Sequence, residues 1–327
     1  MPRRRLVVPL ALFLGATAAC SAGDATPPSA GPSAVRGCPS GAEVLSSAEG
    51  LRRALATAGP GDAFALAPGH YDGNFDVTRS GTGASPIRLC GTRDSVLDGG
   101  GTDHGYTLHL DGASHWELRG FAVTGGQKGV VLDGSSGNVL SGLRVTGVGD
   151  EAVHLRSGSS DNLLERSFIA DTGLREPAYG EGIYVGSAEG NWCDVSACEP
   201  DRSDGNRLVG NTVTRTSAEA VDVKEGTTGG TLAGNRLTGP GADSAVDLKG
   251  NGWTVRGNRV VTGHGDAVQV HVVLDGWGRD NRIVGNEMTA PRYAVSLVGA
   301  ARDHGNVVGC AQVAGAAGGE NSNVRCR

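Results

Sequence analysis

Eight short apolar segments recur along this chain at a nearly constant pitch, with their third residues at Leu108, Val130, Val153, Ile183, Val221, Val246, Val268 and Val295. Successive separations of 22, 23, 30, 38, 25, 22 and 27 residues are the mark of a stacked repeat. Between the segments lies a second motif, seen in Asn-Arg-Leu-Val-Gly-Asn211, Gly-Thr-Leu-Ala-Gly-Asn235 and Asn-Arg-Ile-Val-Gly-Asn286. Strands this short, separated by Gly and Asn turns, do not suit helix-joined units; they predict an all-β, parallel β-helix in which each coil pairs with those above and below. The 55 glycines and 4% aromatic content agree, since they supply tight turns but few wide hydrophobic faces.

Stacking makes equivalent positions neighbours. Asn211, Asn235, Asn258 and Asn286 are expected to form a ladder at one turn, because Asn tolerates left-handed geometry and bonds turn backbone. With side chains alternating along a strand, the third and fifth residues of each segment point inward. The fourth residues, among them His109, His154, Tyr184, Asp222, Asp247 and Gln269, then face outward, as do the residues that follow, which include Arg156, Lys224, Lys249 and His271. Glu151, Glu181, Glu219 and Asp266 precede four of the strands. The two long intervals mark inserted loops, around residues 171–179 and 187–204, and both border the charged coils.

The chain starts with Arg3, Arg4 and Arg5, an apolar stretch over 6–14, and small residues before Cys20, which reads as an export leader over 1–20. Lipidation of Cys20 is expected from this pattern, with a cleaved, soluble secreted protein as the alternative. Residues 21–36 read as a flexible tether and 37–327 as the β-helix domain. The remaining cysteines, Cys38, Cys90, Cys193, Cys198, Cys310 and Cys326, are even in number and suggest disulfides, paired in sequence order. An amphipathic helix over 46–58, with Ser46 and Glu49 as a capping box, is expected to cover the N-terminal end of the solenoid. A net charge of −6 gives no reason to expect nucleic acid as a partner, and the chain is expected to act as a monomer, meeting a membrane only through the lipid.

Acids, lysines, a histidine and a tyrosine thus converge on one strip. That strip suits β-elimination of a uronate glycan, in which a base removes the proton next to a carboxylate whose charge is neutralised. Lys224 is the candidate base, its pKa lowered by stacked Lys249; Lys249, Arg156 and His271 are candidates for charge neutralisation. Asp247, Tyr184, His154, Gln269 and Glu181 are candidate substrate-binding residues, and Glu219 with Asp222 a candidate Ca²⁺ site. Two other readings stay open: a non-catalytic carbohydrate-binding or cell-surface β-helix, and a glycoside hydrolase using Asp222 and Asp247.

The stretch Pro-Gly-Asp-Ala-Phe-Ala-Leu-Ala-Pro-Gly-His-Tyr71, with Ser-Gly-Thr-Gly-Ala-Ser-Pro-Ile87, resembles the N-terminal part of chondroitinase B and alginate lyases. The chain as a whole resembles the pectin-lyase-like superfamily, which implies a right-handed, single-stranded β-helix over most of residues 40–310. In the chondroitinase B group a Glu, four residues and a Lys place a calcium ligand and the proposed base on one coil. Glu219-Ala-Val-Asp-Val-Lys224 has that spacing. The group's other calcium-binding acid falls at Ser217 here, and its Arg at Lys249. The resemblance implies an extracellular polysaccharide lyase that acts on an acidic polysaccharide.

Overall fold

The computed structural model describes residues 37–239, 243–310, 312 and 319–327; the leader, Cys20 and the tether lie outside the described residues. The chain coils through three parallel sheets of eleven, ten and nine strands, visiting each sheet in turn. One coil comprises Arg207–Val209, Thr212–Thr214 and Val221–Val223, three strands of three residues separated by turns. A parallel β-helix is therefore the architecture, as the repeat requires.

The register matches the repeat. Leu108, Val130, Val153, Ile183, Val221, Val246, Val268 and Val295 are successive Cα partners in the ten-stranded sheet. All eight are fully buried. Each such side chain contributes roughly 1.5–3 kcal/mol by leaving water, so the inward columns carry the fold's hydrophobic stabilisation.

The turns are held by amides. Asn211 Nδ2 donates to Asn235 Oδ1 at 3.1 Å, Asn235 to Asn258 at 2.9 Å, and Asn258 to Asn286 at 3.0 Å. Each side chain also bonds backbone of the neighbouring coil: the Asn211 amide proton goes to Asn235 Oδ1, and Asn235 Nδ2 to the Leu208 carbonyl. A second ladder, Asn138–Asn162–Asn206, precedes the eleven-stranded sheet and was not anticipated.

Helix α1 spans Ala48–Thr57 and buries Leu51, Ala54 and Leu55, packing near Gly69–Asp72 and Phe75–Val77. Its N-cap is Ser47, whose hydroxyl accepts from Gly50 N at 3.1 Å. The capping box expected from Ser46 is absent, because Glu49 turns to Arg53 instead. Disulfides join Cys38–Cys90, Cys193–Cys198 and Cys310–Cys326, the pairing that sequence order suggested. Among the described residues no helix is long and apolar enough to cross a membrane.

On the ten-stranded sheet the fourth-position side chains lie on the outer face, yet they are not solvated as expected. His154, Tyr184, Asp222, Asp247 and Gln269 retain between 2% and 9% of their exposure. They pack against one another and against adjoining charged side chains, and His154 and Tyr184 also lie under the insertions, so this outer face becomes a second, polar interior.

Candidate active site

Five of the residues singled out in the sequence form one connected network. Asp222 and Asp247 are Cα partners on adjacent coils. Lys224 Nζ lies 2.7 Å from Asp222 Oδ2, and Lys249 Nζ lies 2.8 Å from Asp222 Oδ1 and 2.6 Å from Asp247 Oδ2. His271 Nδ1 closes the line at 2.7 Å from Asp247 Oδ1. Acids and cations alternate through buried space, so each neutralises its neighbours and the stacked like charges cease to repel.

This pairing corrects the expectation that Lys249 lowers the pKa of Lys224. Burial does work against the charged form, but Asp222 and Asp247 outweigh it and hold both lysines above their ordinary range. His271 is likewise raised, chiefly by its bond to Asp247, despite burial. Burial would push Asp247 up, yet His271 and Lys249 bring it down. Asp222 and Asp247 both lie within 2.8 Å of one Lys249 nitrogen. Their bonded oxygens are therefore nearer than the roughly 6.5–9.5 Å of an inverting hydrolase.

Beside the network opens a cavity of about 440 Å³. Its floor comprises Lys128, His154 and Tyr184 of the ten-stranded sheet, with Glu181 just before the Ile183–Val185 strand. Arg175 and Tyr179 from the first insertion, with Asn191 and Asp194 from the second, form its walls. The first insertion is pinned by a fork from Arg175 onto Asp150, at 3.1 and 2.7 Å. The second contains helix α2, Trp192–Val195, closed by the Cys193–Cys198 bond. It returns through Asp201, which is fully buried and accepts from Ser157 N, Gly158 N, Ser187 Oγ and Ser203 Oγ.

Tyr184 joins cavity and network. Its ring stands edge-on to His154 at 4.5 Å, and Lys224 Nζ lies 5.0 Å from the ring centroid. Burial, reinforced by Asp222 and Glu181, raises the phenol far above its usual range, so it stays protonated. His154 is held neutral by burial and by Lys128. Its Nε2 lies 3.0 Å from the Gly186 carbonyl and its Nδ1 3.3 Å from Lys128 Nζ, so both ring nitrogens are occupied. Gly186 has φ of 82°, which favours glycine where the strand turns into the second insertion.

Arg156 lines the same cavity from the preceding coil. It forks onto Asp133 at 2.6 and 3.0 Å and reaches the Tyr106 hydroxyl. Gln269, by contrast, is taken up by Asp266 and the Asp243 carbonyl, away from the network. Lys128, Glu151 and Arg175 were missed as site residues; Lys128 and Glu151 occupy the same first-strand column as Glu181 and Glu219, which was the available signal.

Glu181, Glu219 and Asp222 offer carboxylate oxygens within 4.8 Å of one another. Burial, then the Asp222 charge, pushes Glu181 up to about 8 and raises Glu219. Ca²⁺ takes six to eight oxygen ligands. Here Asp222 spends both oxygens on ammonium groups, which leaves two carboxylates beside two fixed cations. The set does not fit a Ca²⁺ cage.

No family model matches this chain, and no curated protein matches it. Solved structures do. An alginate lyase from Paenibacillus sp. strain FPU-7 is 34% identical, with 86% of this chain and 94% of that one aligned at a TM-score of 0.76. The pectate lyase Pel9A aligns at 13% identity over 84% of this chain and 72% of its own, with a TM-score of 0.57. The catalytic unit of a GH87 α-1,3-glucanase from Streptomyces thermodiastaticus strain HF3-3 aligns at 16% identity over 86% and 59%, with a TM-score of 0.51. The last two share the fold alone. Identity of one third along nearly the full length of both chains is decisive for the first: this chain belongs to the family of the Paenibacillus enzyme, polysaccharide lyases of the pectin-lyase-like parallel β-helix superfamily.

Proposed function

We propose that this protein is an extracellular lyase, secreted or lipid-anchored through Cys20, that cleaves a uronate-containing polysaccharide by β-elimination. The observation that carries the proposal is the meeting of Tyr184 and Lys224, 5.0 Å between ammonium and ring centroid, at the edge of a cavity whose lining includes Lys128, Arg156 and Arg175. Among the described residues the Tyr184 hydroxyl has no hydrogen-bond partner, and a raised pKa keeps its proton available for the departing glycosidic oxygen. Lys224 takes the proton next to the uronate carboxylate. Arg156, Arg175 and Lys128 line the cavity and are held by Asp133, Asp150 and Glu151; their remaining N–H donors bind that carboxylate and stabilise the enolate.

Lys224 must shed its own proton first, and Asp222 opposes this. The active fraction therefore grows with pH. Side-chain cations do the neutralising, and no step runs through Ca²⁺.

The test is an ultraviolet assay for unsaturated sugar ends over alginate, pectate and glycosaminoglycans, with Ca²⁺ and with chelator. A rise in absorbance on at least one of them, lost in Lys224→Ala, supports the reading. Binding without any rise identifies a carbohydrate-binding β-helix instead, and new reducing ends without unsaturation identify a hydrolase.

A further inference from the structure

A second hollow, of about 460 Å³, opens on the same sheet face farther toward the C-terminus. Ser296 in its floor is the Cα partner of Gln269, and the ladder continues through Asp247 and Asp222 to Tyr184. At about 4.8 Å per coil, the hollow lies roughly 19 Å from Tyr184 along the solenoid. Both insertions fall before the Val221 strand; beyond it the intervals return to 25, 22 and 27 residues. The face is thus walled on one side of Tyr184 and lacks long insertions on the other.

The hollow is built to receive an anion. Arg302 gives its Nε to the Leu297 carbonyl at 3.2 Å and, among the described residues, pairs with no carboxylate, so both terminal nitrogens remain unspent. Arg292 is fixed by a fork onto the fully buried Asp266, at 2.8 and 2.5 Å, which leaves one terminal nitrogen for a ligand. His271 uses Nδ1 on Asp247 and keeps Nε2. Tyr293 adds a ring face, and Asn323 is locked by Ser296 and Leu297. Asp243 is the one acid of the lining, against two arginines and the His271 imidazole.

We propose that this hollow is a distal subsite that binds the carboxylate of a uronate unit in the same polymer whose bond is broken at Tyr184. The proposal rests on the lyase reading. It makes the protein a mid-chain binder that grips an acidic polymer about four coils from the reacting bond.

The experiment compares wild type, Arg302→Gln and Arg302→Lys on whichever uronate polymer the wild type cleaves, and on its size-defined oligomers. Arg302→Gln is expected to raise KM for the polymer about tenfold with kcat held, the loss of one charge-assisted contact. The preference for polymer over trimer collapses with it, and Arg302→Lys recovers part of the loss. An unchanged KM, or an equal loss at every length, overturns the subsite. Should the wild type cleave nothing, the lyase reading fails first, and retardation of each protein in gels containing alginate or pectate reads the subsite alone. Equal retardation of wild type and Arg302→Gln then overturns it, and retardation of wild type only supports it.

Discussion

Lys249 belongs to two coils at once: its ammonium lies 2.6 Å from Asp247, two residues earlier on its own coil, and 2.8 Å from Asp222 on the coil before. The bridge explains how two lysines and two aspartates stack in near-complete burial without repulsion. It also ties the Lys224 environment to a group that has no need to touch substrate. The positions of Lys224 and Tyr184 are therefore set by the solenoid's register, not by a mobile loop.

Replacing Tyr184 by Phe removes the proposed acid while keeping the ring between His154 and Lys224. Turnover should fall by about a hundredfold or more, with polymer binding retained and the melting temperature little changed. Steady-state kinetics with thermal unfolding checks this; a rate within a few-fold of wild type removes Tyr184 from the chemistry.

Lys224→Arg separates a base from a fixed charge. Arginine keeps the positive charge and cannot give up its proton, so the variant should be as inactive as Lys224→Ala. Because Lys224 is held above its ordinary pKa by Asp222, wild-type activity should climb with pH through the alkaline range. A pH–rate profile flat from neutrality upward, or an active arginine variant, assigns Lys224 to charge neutralisation instead.

Glu181 has a signed effect on stability. Its folded pKa is raised from 4.5 to about 8, mainly by burial, so the folded state binds more protons than the unfolded one across that window. Stability is therefore present at low pH and lost as pH rises through about 8. Glu181→Gln should flatten that decline and make the protein more stable than wild type on the alkaline side. Denaturant titrations at several pH values measure it, and parallel pH dependences for the two proteins contradict the assignment.

Asn235→Ala leaves the Asn211 amide proton and the Leu208 carbonyl without their buried partners. At about 1–3 kcal/mol for each of the two, the loss should be roughly 2–6 kcal/mol, seen as a lower denaturant midpoint. A change under about 1 kcal/mol means that water replaces the ladder at no cost.

With Asp222 committed to two ammonium groups, chelator should leave the rate unaltered and added Ca²⁺ should not raise it. A chelator-sensitive rate restored by Ca²⁺ contradicts the charge argument.

The fold was legible because period-two alternation and a fixed coil length leave one solution, and all eight third positions fell into register. The stacking of Asp222 on Asp247 followed from the same arithmetic. Burial did not: solvent exposure on the outer face depends on insertions whose path the repeat does not encode, and it is burial that raises Tyr184 and Glu181. Nor did the sign of the Lys224 shift, since spacing showed the second lysine but not that Asp222 would reach both. The spacing located the second insertion but not which of its residues turns inward, and the four hydrogen bonds of Asp201 reveal that residue as interior.

The Asn ladders have an engineering consequence. Each coil hands the same set of donors and acceptors to the next, so an upper face is interchangeable with any other along the ladder. A whole coil of 22 or 23 residues could be duplicated after the Val246 strand and spliced without a mismatched edge. Such a graft would move the distal hollow outward by one rung while leaving Tyr184 and Lys224 in place, a molecular ruler whose length is set one coil at a time.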